Sequence, residues 1–155
     1  MSRKTGQCLC GAVRVTVRNM PLRMEACHCA TCRRWTGGAP YLGVAVARAD
    51  VLFTGEDDIG IYRSSGWAER GFCRRCGAHL FFRMAGAALT DNLSLCPGIL
   101  DDVSGIVLTQ EMFIDQKPDV YDLTGERPRI TRAEALALLD EHLERKGMER
   151  TSDHD

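Results

Sequence analysis

The sequence predicts a mainly β domain with one amphipathic helix appended near its C-terminal end. Three observations carry this reading. Short stretches of strand length recur along the chain, bounded by Gly, Pro, Asp or Ser. A single late segment carries helical periodicity together with a capping signal. Seven of the eight cysteines fall into three tight groups.

The elements follow in order. Residues 11–17 alternate, with Val13, Val15 and Val17 on one face and Arg14 and Thr16 on the other. That is the period of a half-buried strand. Residues 23–27 form a shorter extended segment. Residues 41–47 are apolar and follow Gly and Pro punctuation. Residues 51–54, 60–63 and 69–72 are short and flanked by turn formers. Residues 80–84 follow a cysteine pair, 93–96 end at Pro97-Gly98, and 108–114 read as a last strand. The segment 131–146 differs. Thr131 and Glu134 make a capping box, Leu136, Leu139 and Leu143 share one face, and Gly147 stops the helix. The helix is expected on the outer face of the domain or against a second copy. The organisation is thus a β domain over 1–130, a helix over 131–147, and a polar, disordered tail over 148–155.

Composition narrows the function. The chain has 155 residues, 20 basic and 21 acidic, for a formal net charge of −1. That charge argues against nucleic acid as a partner. It is 45% hydrophobic, which supports a core, but 6% aromatic, so the core leans on aliphatic residues and other supports. No apolar run reaches the roughly 18 residues that span a bilayer. The N-terminal stretch lacks the apolar region of a secretory signal. The expected location is therefore the cytoplasm, where thiols stay reduced and clustered cysteines bind metal or do redox chemistry.

The cysteine groups are Cys8-Leu-Cys10-Gly11, Cys27-His28-Cys29-Ala-Thr-Cys32, and Cys73-Arg-Arg-Cys76-Gly77. Four thiolates from two distant short pairs close a tetrahedral zinc site. Glycine after the second ligand lets the backbone turn with positive φ and aim its N–H groups at sulfur. Two partitions satisfy the spacing. In the favoured one, Cys8, Cys10, Cys73 and Cys76 form a closed structural site, and Cys27, Cys29 and Cys32 bind a second zinc with one position open. In the other, the triplet joins one pair and the remaining pair is free. Cys27 and Cys29 on an extended segment share a face, and His28 points the other way, which disfavours it as a fourth ligand. The open site is the more labile of the two and the candidate for catalysis. Cys96 stands alone and reads as a core thiol, and His79 and His142 as structural or solvated.

These motifs, together with Leu100-Asp101-Asp102, Lys117-Pro118 and Tyr121-Asp122, resemble the glutathione-dependent formaldehyde-activating enzyme family, which also includes centromere protein V. The resemblance covers roughly 6–130. Val120 stands where members carry tryptophan, and His79 where they carry a small residue. The resemblance implies stacked small antiparallel sheets, a β-tent, around a structural zinc on Cys8, Cys10, Cys73 and Cys76. It implies a second zinc on Cys27, Cys29 and Cys32. It also implies a carbon–sulfur lyase that joins formaldehyde to glutathione, giving S-hydroxymethylglutathione.

The expected chemistry is thiol addition to a small aldehyde, or its reverse. Arg33 and Arg34, directly after Cys32, are the nearest cationic dock for an anionic thiol, with Arg70 another. His28, Ser64, Ser65 or water would move the proton. A different class is a non-enzymatic, zinc-stabilised binding or chaperone-like module. The exposed helix is also compatible with a homodimer.

Overall fold

The computed structural model describes residues 2–85 and 91–147. Its elements are β1 (Ser2–Gln7), β2 (Arg14–Met20), β3 (Arg23–Cys27), α1 (Ala30–Thr36), β4 (Tyr41–Ala47), β5 (Val51–Thr54), β6 (Ile59–Ser65), β7 (Ala68–Cys73), β8 (His79–Met84), β9 (Asn92–Leu95), β10 (Val107–Met112), β11 (Arg129–Ile130) and α2 (Arg132–Arg145). Short 3-10 turns link several of them. The fold is mainly β, as the strand pattern predicts. The polar tail 148–155 lies outside the described residues.

Two sheets make up the domain. A three-stranded sheet has the order β1-β2-β5, and an eight-stranded sheet has the order β11-β10-β3-β4-β9-β8-β7-β6. The larger sheet is mixed. β10 runs parallel to both β3 and β11, while the remaining pairs are antiparallel. The valine alternation of β2 buries Val15 and Val17, with Met20 at its end. They pack with Val44 and Val46 of β4, Leu93 and Leu95 of β9, and Leu80 of β8. The β4–β9 register sets Val44 opposite Leu95 and Val46 opposite Leu93. Each fully buried aliphatic side chain contributes about 1.5–3 kcal/mol. This core lies between the sheets and fixes where the cysteine segments meet.

β1 has no apolar alternation. Its inward positions are Lys4 and Gly6. Lys4 buries its stem and binds Asp102 Oδ2 at 2.7 Å and the Ser104 carbonyl at 3.1 Å. Gly6 pairs with Leu100, and a Cβ there would lie 2.1 Å from the Ile99 carbonyl oxygen. Only the absence of a side chain lets the two backbones approach.

α2 begins at the predicted capping box. The Thr131 side chain accepts from Glu134 N–H at 3.3 Å, and Glu134 Oε2 accepts from Thr131 N–H at 2.7 Å. Arg132 N–H binds Asp115 Oδ1 at 2.7 Å, which ties the helix start to the turn after β10. Ala135 and Leu143 are buried, while Leu138 faces outward. No helix among the described residues is long and apolar enough to cross a membrane.

Candidate metal centres and the cavity beside them

Two knuckles bring four thiols together. In the first, Cys8 follows β1, Gly11 takes φ +76° and its N–H binds the Cys8 carbonyl at 3.0 Å. In the second, Cys73 ends β7, Gly77 takes φ +76° and its N–H binds the Cys73 carbonyl at 2.8 Å. This is the left-handed conformation that only glycine adopts freely. The Sγ atoms of Cys8, Cys10, Cys73 and Cys76 all lie within 4.8 Å of one another. Cys8–Cys10 and Cys10–Cys73 are 3.6 and 3.8 Å apart. A tetrahedron of sulfurs about 2.3 Å from a zinc ion has edges of about 3.8 Å, so this donor set fits such an ion. Val13 N–H donates to Cys8 Sγ at 3.2 Å. The Ala78 N–H directed at Cys76 is the main influence that lowers this thiol to about 6. Backbone donors thus favour sulfur in the anionic form that binds metal.

The second cluster is Cys27, Cys29 and Cys32, again with Sγ atoms within 4.8 Å of one another. Cys27 ends β3, Cys29 is the N-cap of α1, and Cys32 sits in its first turn. Cys32 N–H donates to Cys29 Sγ at 3.3 Å. Hydrogen bonds from the Cys27 and Cys32 thiols hold Cys29 well below the usual thiol range, and nearby Arg70 adds to this. Cys27, on the other side of that pairing, is pushed up. Three donors leave a bound metal ion a fourth position.

That position adjoins a cavity of about 570 Å³ lined by the triplet and by residues from the β3, β4, β8 and β10 region and from α2. Arg70 also lines it and is 4% exposed. Its Nη2 lies 3.5 Å from Cys32 Sγ, its Nε donates to Ser64 Oγ at 3.1 Å, and its Nη1 has no hydrogen-bond partner. The rings of Phe82, Trp35 and Tyr41 surround it at 5.3, 5.8 and 6.0 Å. No acidic side chain pairs with it among the described residues. Glu25 lies two residues before Cys27 on β3, so both share one face of the strand. Gly43 stands opposite Glu25 and Tyr41 opposite Cys27, and all four line the cavity. Glu25 has no basic partner among the described residues either.

The other predicted residues fall elsewhere. Arg33 is half-buried, with Nε bound to the His28 carbonyl at 3.1 Å, and Arg34 is exposed. Neither is among the residues lining the cavity, whereas Ser64 and Ser65 are. His28 is fully buried. Its Nε2 donates to Glu111 Oε2 at 2.8 Å, and its Nδ1 pairs with Tyr121 Oη at 2.8 Å. Glu111 Oε1 accepts from Arg127 at 2.6 Å and Arg129 at 3.2 Å. This network clamps the backbone between Cys27 and Cys29. Its one sequence signal is an acid midway along an otherwise strand-like stretch. Cys96 is a partly buried thiol that desolvation raises to about 11. Val120 is exposed, and His79 stacks on Trp35 with centroids 4.7 Å apart.

Residues 3–116 match the sequence profile of the family described as "Glutathione-dependent formaldehyde-activating enzyme". The chain belongs to this family. A relative from Schizosaccharomyces pombe, described as an "uncharacterized lyase", is 28% identical over 136 residues, 88% of this chain and 96% of its own. A crystal structure of a Rhodobacter sphaeroides protein superposes with a TM-score of 0.51 at 19% identity, covering 81% of this chain and 98% of that one. That likeness concerns the fold alone. The family match ends before α2, so the helix wall of the cavity lies outside it.

Proposed function

We propose that this family member is a zinc-dependent carbon–sulfur lyase that makes and breaks the adduct of a thiol and a small aldehyde. Glutathione and formaldehyde are the leading pair, and S-hydroxymethylglutathione their adduct. One observation carries the reading: three clustered thiols border a cavity that also holds a guanidinium with no acidic partner and a carboxylate with no basic partner among the described residues. Arg70 and Glu25 can receive a carboxylate and an ammonium, the two kinds of charge that glutathione carries. The lyase name of the yeast relative points the same way.

Cys8, Cys10, Cys73 and Cys76 would hold one zinc and brace the fold. Cys27, Cys29 and Cys32 would hold another. When bound there, zinc supplies a soft electron-pair acceptor that keeps an incoming thiol deprotonated at neutral pH. The remaining work falls to side chains. Arg70, ringed by aromatic faces that exclude water, offsets the negative charge of the sulfurs and orients the anionic substrate. In the joining direction, a sulfur lone pair forms the new C–S bond and the carbonyl π pair moves onto oxygen. That oxygen then takes a proton, relayed by Ser64, Ser65 or water. In the splitting direction, the hydroxyl loses its proton, the C=O bond reforms and the C–S pair returns to sulfur. His28, committed to Glu111 and Tyr121, positions the ligand strand. Holding the reactants together contributes much of the rate, because the addition is already feasible in water.

The test is metal analysis of native protein combined with NMR exchange between formaldehyde and glutathione. Two zinc ions per chain and a rate enhancement lost in Cys29→Ser are expected. Equal rates for wild type and Cys29→Ser, with the second zinc gone, would remove the triplet from the chemistry. One zinc and no enhancement would favour the binding module.

A further inference from the structure

The cavity is larger and more apolar than formaldehyde requires. A molecule with two heavy atoms needs little more than the roughly 30 Å³ of one water. The cavity measures about 570 Å³, within the range that receives drug-sized ligands. Its charged and hydroxyl groups suit the peptide half of a thiol adduct. The rest of its wall does not. Trp67 from the β6–β7 turn, Phe82 and Met84 of β8, Met112 of β10, and Leu136 and Leu139 of α2 all line it. Such a wall offers nothing to an amide or a carboxylate, and a peptide lying on it would leave polar groups unpaired. α2 has the periodicity to do this. Leu136 and Leu139 line the cavity while Leu138 is 55% exposed. The start of the helix is tied there by the Arg132 N–H bond to Asp115.

We infer that the aldehyde half of the adduct carries an apolar chain of several carbons, seated against the wall that α2 completes. This rests on the lyase reading above and names its substrate class. The reacting carbon must lie next to the Cys27, Cys29 and Cys32 sulfurs, so any group attached to it extends into the same cavity. The bonds made and broken are those already described. The added carbons take no part in them and act through burial. Each methylene removed from water is worth about fourfold in binding.

The experiment uses zinc-loaded full chain and two readouts. Titration calorimetry with S-methyl-, S-butyl- and S-hexylglutathione should show Kd falling about fourfold per methylene until the wall is covered. NMR exchange with glutathione should give a kcat/KM at least tenfold higher for hexanal than for formaldehyde. Leu139→Asp, checked by its thermal melt, should reduce the methyl-to-hexyl gain at least tenfold, and Leu136→Ser should reduce it to a smaller degree. Flat binding across the series, with formaldehyde the fastest aldehyde, overturns the inference and leaves the lyase reading intact. Loss of rate enhancement with every aldehyde overturns the lyase reading itself.

Discussion

Replacing Glu111 with alanine tests how the ligand strand is held. Glu111 is 1% exposed and receives His28 Nε2 at 2.8 Å, Arg127 Nη1 at 2.6 Å and Arg129 Nε at 3.2 Å. Arg129 is half exposed and can turn to water. Arg127 and His28 are enclosed, at 7% and 0% side-chain exposure, and cannot. Removing one partner of a buried charged pair costs about 3–5 kcal/mol, because the other charge is left without compensation. For a domain of this size, each kcal/mol shifts the midpoint about 2–4 °C, so Tm should fall by about 6–20 °C. His28 lies between two sulfurs of the triplet, so its loosening should also weaken zinc there about tenfold or more, the scale of lost outer-shell support. Differential scanning calorimetry and chelator competition measure the two effects. A Glu111→Ala protein that melts within 2 °C of wild type, with unchanged zinc affinity, would refute the clamp. Acid gives the same group a second signature. Burial pushes the Glu111 carboxyl up, but Arg127, His28 and Arg129 outweigh it and hold it below its ordinary 4.5. The stabilisation is present above that value and is lost as pH falls through the lower folded value. Wild type should therefore lose stability below about pH 4.5, and Glu111→Gln should lack this component of the slope.

Three further outcomes follow from the same geometry. Arg70→Gln should keep its fold by circular dichroism, since no acid among the described residues pairs with Arg70, yet lose about 10–150-fold in kcat/KM, the scale of a charge-assisted hydrogen bond. Cys76→Ser should unfold or aggregate because it opens the four-sulfur cage, while Cys32→Ser should stay folded with one zinc fewer; equal melts for wild type and Cys76→Ser would show that cage is not a brace. Gly6→Ala sets a Cβ 2.1 Å from the Ile99 carbonyl oxygen; urea titration should show about 1–3 kcal/mol of destabilisation, and wild-type stability would mean the strand shifts freely.

Much of the fold is legible where a local period exists. The Val13, Val15 and Val17 alternation announces β2, and Thr131 with Glu134 announces α2 to within a residue. β1 is not legible, because its inward positions are a lysine stem and a glycine, and neither reads as core until Asp102 and Ile99 are in place. α1 has seven residues and a thiol for its N-cap. It carries no apolar stripe and none of the usual oxygen caps. The cysteine groups are legible as groups, and the structure sets the same four and the same three together. The cationic dock is harder. Arg33 and Arg34 are adjacent to Cys32 in the chain, but helical geometry sends neighbours to different faces. Arg70, 38 residues away, is the guanidinium that meets the sulfur.

By itself the sequence determined what short-range order can express: strand periods, the capped helix, and thiol pairs whose glycines let the backbone curl so that their sulfurs converge. Spacing of a few residues suffices for these, since the atoms involved are covalently close. Tertiary structure alone decided what those thiols face. The larger sheet carries Glu25 and Arg70 into one cavity, Glu111 is closed onto His28 from 83 residues away, and α2 is turned so that its leucines complete the wall. Such meetings depend on strand order and on the burial of side chains distant in the chain, which no local pattern records.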